Sequence, residues 1–208
     1  MARHLERFGI DAILVTEPQS TGYRLLAALS DTPGVLEASA GACSVLLRFS
    51  DWAAASAAIP ALRAAELMGP ADSAERIEAT GTVIEIPVTY DGEDLQAIAT
   101  ECGLTVRQVM DLHSSAIYVV SFCGFAPGFA YLEGLPARLR VRRLESPRAR
   151  VPAGAVAIAD TWCGIYPRAT PGGWRIIGRT ALPMFDPHAS PPALLAPGHQ
   201  VRFIPEHP

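Results

Sequence analysis

Arginine offers this sequence its most evident chemistry. Arg138, Arg140, Arg142, Arg143, Arg148 and Arg150 fall within thirteen residues, and Arg148 sits between Pro147 and the stiff run Val151-Pro152-Ala153-Gly154. Two readings stay open for this cluster: a solvated basic loop, or an anion clamp in which the proline-rich backbone aims Arg148. A second cluster reads Thr170-Pro171-Gly172-Gly173-Trp174, then Gly178-Arg179-Thr180. Paired glycines let a ligand approach the backbone and leave N–H groups for an oxyanion, while Arg179 supplies charge and Trp174 a wall. A hairpin turn with a packed tryptophan would use the same residues. Cys163-Gly164-Ile165-Tyr166-Pro167 adds a thiol and a phenol, but no partner residue marks Cys163 as a nucleophile. Asp186 serves equally as a turn former or a base. His188, His199 and His207 are scattered through a proline-rich tail, and no metal-ligand spacing is present.

These groups need a scaffold. The densest mixture of glycine, proline and aromatic residues is Phe122 to Pro136, F-C-G-F-A-P-G-F-A-Y-L-E-G-L-P, which reads as a rigid shaped loop aimed by the strand-like run Ile117 to Phe122. Alternation places Phe125, Phe129 and Tyr131 on one face, exposed at a barrel mouth. Upstream, Ile10–Val15 reads as a strand and Thr21–Leu29 as a helix. Val35–Ala38 and Ser44–Phe49 follow as strands, Trp52–Leu67 as an alanine-rich helix kinked or split at Pro60, and Thr82–Tyr90 as a strand. That β-α-β-β-α-β order predicts a ferredoxin-like α/β domain over residues 1–85. A short helix runs from Asp91-Gly92-Glu93-Asp94 to about Cys102. Thr105-Val106-Arg107-Gln108 is a capping box for the next helix, on which His113 shares the apolar face with Val106, Val109 and Met110. An inward histidine is either a hydrogen-bonded core residue or a catalyst. Beyond Ile117 the short apolar pieces and thirteen of the eighteen prolines indicate an all-β barrel or sandwich.

Composition narrows the function. All seventeen basic residues are arginine, so no Walker-A lysine, Schiff base or biotinyl lysine is possible on this chain. Residues 1–100 hold six arginines against fourteen acids, and residues 101–208 hold eleven against seven. The second half should therefore prefer anions. The acidic overall balance and the lack of a recognised motif argue against nucleic acid. No apolar stretch approaches the roughly 20 residues of a membrane helix, and no signal-like segment opens the sequence, which predicts a cytoplasmic protein. Cys43, Cys102, Cys123 and Cys163 form no C-x-x-C pair and are expected as buried thiols.

Taken together, G-F-A-P-G-F-A-Y-L-E-G-L-P, P-R-A-R-V-P-A-G, G-I-Y-P, P-G-G-W-R-I-I-G-R-T and F-D-P resemble the carboxyltransferase subdomain C/D family. The family is also known as allophanate hydrolase subunit 1, KipI-like, or the B subunit of 5-oxoprolinase. The match is good from about Thr82 to Pro205 and loose before it. The resemblance implies an α+β protein with a small ferredoxin-like N-terminal domain and a cyclophilin-like β-barrel over residues 86–208. It implies a KipA-like partner, the C subunit of such complexes, that completes a shared site for a small anionic substrate, 5-oxoproline foremost. ATP is bound by the complex, to which one further subunit belongs. Relatives form part of urea-processing carboxylases, and others inhibit a sensor histidine kinase. Carried over position by position, Gly124, Phe125, Tyr131, Arg148, Tyr166, Gly172, Gly173, Trp174, Arg179, Thr180 and His113 match the family's motifs. In that reading Arg148 and Arg179 hold carboxylate or phosphate oxygens, Gly172 and Gly173 donate N–H groups, and His113 or Tyr131 transfers a proton. Departures are Ala155 for a usual Ser, Trp162-Cys163 for Gln-Thr, and His199 for Asp. No full nucleophile-and-base set can be assembled from the chain, so it is expected to be inactive alone.

Overall fold

The computed structural model describes residues 3–18, 20–65 and 83–206. The expected end of the Trp52–Leu67 helix, Thr82 and His207 lie outside the described residues. The chain divides into two units, Met1–Gly81 and Thr82–Pro208.

In the first unit, β1 (His4–Phe8), β2 (Ala12–Thr16), β3 (Glu37–Ala40) and β4 (Ser44–Arg48) form a sheet in the order β1-β2-β4-β3, with every neighbouring pair antiparallel. Helices α1 (Gly22–Leu29) and α2 (Trp52–Ala64) supply Leu25, Leu29, Ala55, Ala58 and Leu62, spaced three or four apart, to a core with Ile13, Val15, Val45 and Leu47. Asp51 caps α2 by accepting the Ala54 N–H at 2.8 Å. Pro60 neither splits nor ends α2. Its ring is exposed, so the carbonyl that loses a helical donor can turn to water.

The strand set departs from the expected one. β4 lies between β2 and β3 and is antiparallel to both. The place beside β2 is taken by β1, which sequence reading missed because His4-Leu5-Glu6-Arg7-Phe8 is mostly exposed and polar. The run expected as the last strand of this domain instead forms β5 (Ile84–Val88) of the second unit, where it pairs with β13 (Gln200–Pro205).

The second unit continues through α3 (Leu95–Glu101), α4 (Val106–Ser115), β6 (Tyr118–Cys123), β7 (Ala130–Glu133), β8 (Arg148–Val151), β9 (Ala155–Ala159), β10 (Trp162–Ile165), β11 (Thr170–Gly172) and β12 (Arg175–Arg179). Seven strands follow the order β12-β9-β10-β7-β6-β13-β5. The two edges then meet: the N–H of Thr89 donates to the Arg179 carbonyl, and that of Arg179 to the Thr89 carbonyl, each at 2.9 Å. This nearly closes a barrel-like sheet and removes its open edges. Strands β8 and β11 form a separate two-stranded ribbon. The capping box of α4 forms as read, with Gln108 N–H on Thr105 Oγ1 at 3.2 Å and Thr105 N–H on Gln108 Oε1 at 2.9 Å. Through it Val109 and His113 enter a core with Ile86, Val88, Val120, Leu132, Ile158 and Phe203.

One carboxylate fastens α3 to this barrel. Asp94, 8% exposed, accepts the Ile176 N–H on Oδ2 at 2.7 Å and Arg148 Nη2 on Oδ1 at 2.8 Å. Gly92 allows the approach, since a Cβ there would strike the backbone of Ile176 and Ile177. Asp94→Ala should therefore cost on the order of 3 kcal/mol in denaturant unfolding, because it strands the buried Ile176 amide and leaves a largely buried guanidinium with one carboxylate, the exposed Glu93. Glu93→Ala, whose carboxylate is exposed, should cost under about 1 kcal/mol.

Candidate functional site

A cleft of about 360 Å³ opens on the second unit, walled by Phe125, Phe129, Tyr131, Tyr166 and Trp174 and floored by Gly172 and Gly173. Its rigidity comes from the loop after β6. Gly124 N–H reaches the Phe129 carbonyl at 3.1 Å, and Phe129 N–H reaches the Ala126 carbonyl at 2.9 Å. Gly128 takes φ 82° beside Phe185 and Met184, where any Cβ would come within 2.6 Å of Phe185. Phe125 is held at φ 67°, a left-handed conformation that a phenylalanine adopts only under constraint, and 60% of its surface is exposed. Phe129 is the hub of the walls, edge-on to Tyr131, Tyr166 and Trp174 at centroid distances of 5.1, 5.4 and 5.5 Å. Burial raises the pKa of both Tyr131 and Tyr166, and the Tyr166 oxygen also meets the backbone N–H of Trp174. Both rings therefore remain phenols at neutral pH, able to donate a hydrogen bond.

The structure brings Phe125, Tyr131, Tyr166, Gly172, Gly173 and Trp174 together. Of the four residues expected to act on charge and protons it keeps Tyr131 and leaves out Arg148, Arg179 and His113. Arg148 is not free to hold a substrate anion: its Nε meets Glu93 Oε1 at 2.7 Å and its Nη2 meets Asp94. Arg179 is likewise matched by Asp91 at 2.8 Å, in an exposed pair. His113 is completely buried, with Nδ1 at 2.7 Å from the Tyr90 hydroxyl and Nε2 at 3.3 Å from Cys163 Sγ, and it stacks against Phe203 rather than facing the cleft. Desolvation pushes the His113 imidazole down to about 3 and the Cys163 thiol well above its ordinary value. The two are neutral core neighbours, which excludes a thiolate–imidazolium nucleophile. Thr180 is buried, accepts the Leu182 N–H, and belongs to a turn beside Gly154. Gly124 shapes the loop without lining the cleft.

The two glycines expected as N–H donors, Gly172 and Gly173, both lie on the cleft floor. Gly172 pairs with Arg148 in the β8–β11 ladder, and a Cβ on it would overlap the Tyr166 hydroxyl, so its role is to admit that ring. Gly173 gives its carbonyl to the Leu144 N–H at 2.7 Å. Phe129 is 2% exposed and packs with Val151, Ala155, Ala157 and Ile176, so it is core rather than open surface. Of the four cysteines only Cys163 is buried, and Cys123 is exposed. Sequence reading gave Asp94 no role beyond opening α3 and did not single out Arg143, which lines the cleft. Among the described residues no cluster of three or more His, Cys, Asp or Glu could hold a metal ion. No helix among them is long and apolar enough to cross a membrane.

The family model for the carboxyltransferase domain, subdomain C and D, matches residues 7–195. The chain belongs to this family. Within the subdomain C and D family, a 5-oxoprolinase B subunit from Escherichia coli O157:H7 is 45% identical over 189 residues, which is 88% of this chain and 84% of that protein. The crystal structure of TTHA0988 superposes with a TM-score of 0.79 at 32% identity, covering 96% of this chain but 40% of that one. Urea carboxylase from Kluyveromyces lactis shares the fold at 20% identity and a TM-score of 0.68, covering 99% of this chain and 22% of that one. The departures from the family pattern are accommodated locally. Ala155 is fully packed, Trp162 lies edge-on to Phe122 and Tyr131, Cys163 meets His113, and His199 Nδ1 accepts the Ala196 N–H at 3.2 Å as a carboxylate would.

His113 makes stability depend on acid. Its pKa falls from 6.5 in the unfolded chain to about 3 in the folded one, so between those values only the unfolded state takes up the proton. Stability from this residue should be full above pH 6.5 and decline by about 1 kcal/mol per pH unit below it. Denaturant midpoints measured from pH 7 to 4.5 check this, and His113→Gln should flatten that part of the slope.

Proposed function

We propose that the chain is the B subunit of an ATP-dependent 5-oxoprolinase-type complex and contributes one half of a site completed by a KipA-like chain, the C subunit of such a complex. The observation that carries this reading is the 45% identity to a 5-oxoprolinase B subunit over 88% of the chain. The geometry supports a half-site in a cyclophilin-like barrel. The cleft binds and orients through aromatic walls and phenol donors, but among the described residues its lining holds no nucleophile and no general base, since His113 and Cys163 are buried neutral and Arg148 and Arg179 are spent on carboxylates.

Opening the 5-oxoproline ring adds water across the lactam carbonyl and breaks its C–N bond, releasing glutamate. Here Tyr131 would donate a hydrogen bond to the polarising oxygen or the departing nitrogen. The described residues do not fit a nucleoside triphosphate. The chain has no lysine, α3 opens on the carboxylates Glu93 and Asp94, and Arg148, Arg175 and Arg179 are paired with carboxylates. ATP accordingly falls to the other subunits in this reading.

Purified alone, the chain should not release glutamate from 5-oxoproline and ATP, whereas co-expression with homologues of the other 5-oxoprolinase subunits should restore turnover. Turnover by the lone chain at the rate of the complex would exclude the half-site. The two phenylalanines of the loop should also separate. Phe125→Ser should weaken assembly in size-exclusion chromatography with an unchanged melting temperature. Phe129→Ser should lower the melting temperature, since emptying a buried phenylalanine site costs about 3 to 5 kcal/mol.

A further inference from the structure

One cation faces the cleft. Arg143 lies on its rim, and among the described residues no ion pair or hydrogen bond engages its guanidinium. Its neighbours Arg148, Arg175 and Arg179 are all matched by carboxylates of the same chain. The backbone beside Arg143 is fixed, because the next residue, Leu144, donates its N–H to Gly173 on the cleft floor at 2.7 Å. Of the backbone nearby, the Trp174 N–H meets the Tyr166 oxygen and Gly172 pairs with Arg148 in a strand ladder. Among the described residues, an anion entering this cleft therefore meets one unpaired positive group, carried on an anchored backbone beside aromatic walls.

Resting on the ring-opening reading above, we propose that Arg143 grips the carboxylate of a small cyclic acid and sets the site's preference for acid over amide. One planar guanidinium matches one carboxylate through two parallel N–H···O bonds, whereas a doubly charged phosphate would call on several cations. The aromatic walls suit the apolar face of a five-membered ring, and about 360 Å³ leaves room for such a molecule. Arg143 is thus a binding and specificity residue.

The test is isothermal titration of the complex with its KipA-like partner, using 5-oxoproline and 5-oxoprolinamide. The unmodified complex should favour the acid at least about tenfold, and Arg143→Gln should weaken acid binding roughly 10- to 100-fold while leaving amide binding unchanged. Arg143→Lys should recover part of the loss, and Arg140→Gln, an exposed neighbour, should behave as the unmodified chain. In turnover, Arg143→Gln should raise KM far more than it lowers kcat. Equal preference in the unmodified and Arg143→Gln complexes, or no preference in either, would overturn the proposal. An Arg143-dependent preference for the acid without any ATP-dependent glutamate release would instead sink the ring-opening reading and leave the carboxylate grip standing.

Discussion

The pair between Asp94 and Arg148 is the constraint on which the second unit depends. It joins three segments far apart in sequence: the start of α3, the β8 strand and, through the Ile176 N–H, strand β12. Two charges with so little access to water are costly to bury, and the cost is offset only because each oxygen of Asp94 has its own donor. β12 is also the strand whose end meets Thr89 to complete the barrel, so the carboxylate secures the edge that closure needs. The same arginine is thereby taken out of the cleft.

Above this frame the cleft is assembled from rings and from the glycines that admit them. Gly164 lies where a Cβ would crowd both Phe129 and Trp174 at 3.0 Å, and Gly172 leaves room for the Tyr166 hydroxyl. Small residues on the strands thus decide how deeply the aromatic side chains can sink, and Phe129 sinks until it is part of the interior. What remains outside is Phe125, held at a strained angle by hydrogen bonds on both sides of it. Rigidity of this kind suits a surface that must present one shape to a ligand and to a neighbouring chain.

Much of this was legible in the sequence where local chemistry decides the outcome. The Thr105–Gln108 box, the glycine-rich loop after β6 and the Gly-Gly-Trp floor are all governed by residues within a few positions of one another. Failures came where the deciding partner lies far along the chain. Nothing local reveals that Arg148 would find Asp94, or that the strand near Ile84 would leave the first unit for β13. His113 was placed correctly as inward-facing, yet its exclusion from chemistry follows from Tyr90, Cys163 and Phe203, which only the fold assembles around it. Arg143 escaped notice for the opposite reason. In a run of six arginines, Arg148 is taken up by carboxylates and Arg143 is set apart from the others by its place on the cleft, which only the fold decides.

The parallel pairing of β13 with β5 bears on how the molecule is made. Val201 lies beside Ile84 and Phe203 beside Ile86, so the earliest strand of the second unit must wait for the last one. During synthesis β5 leaves the ribosome with an apolar face and no neighbour until almost the whole unit has followed it. Such long-range closure is slow, and an uncovered strand is prone to pairing with other chains in the interval. The first unit has no such delay, since its strands find their partners within a few dozen residues. It can therefore be folded and in place while the barrel is still emerging.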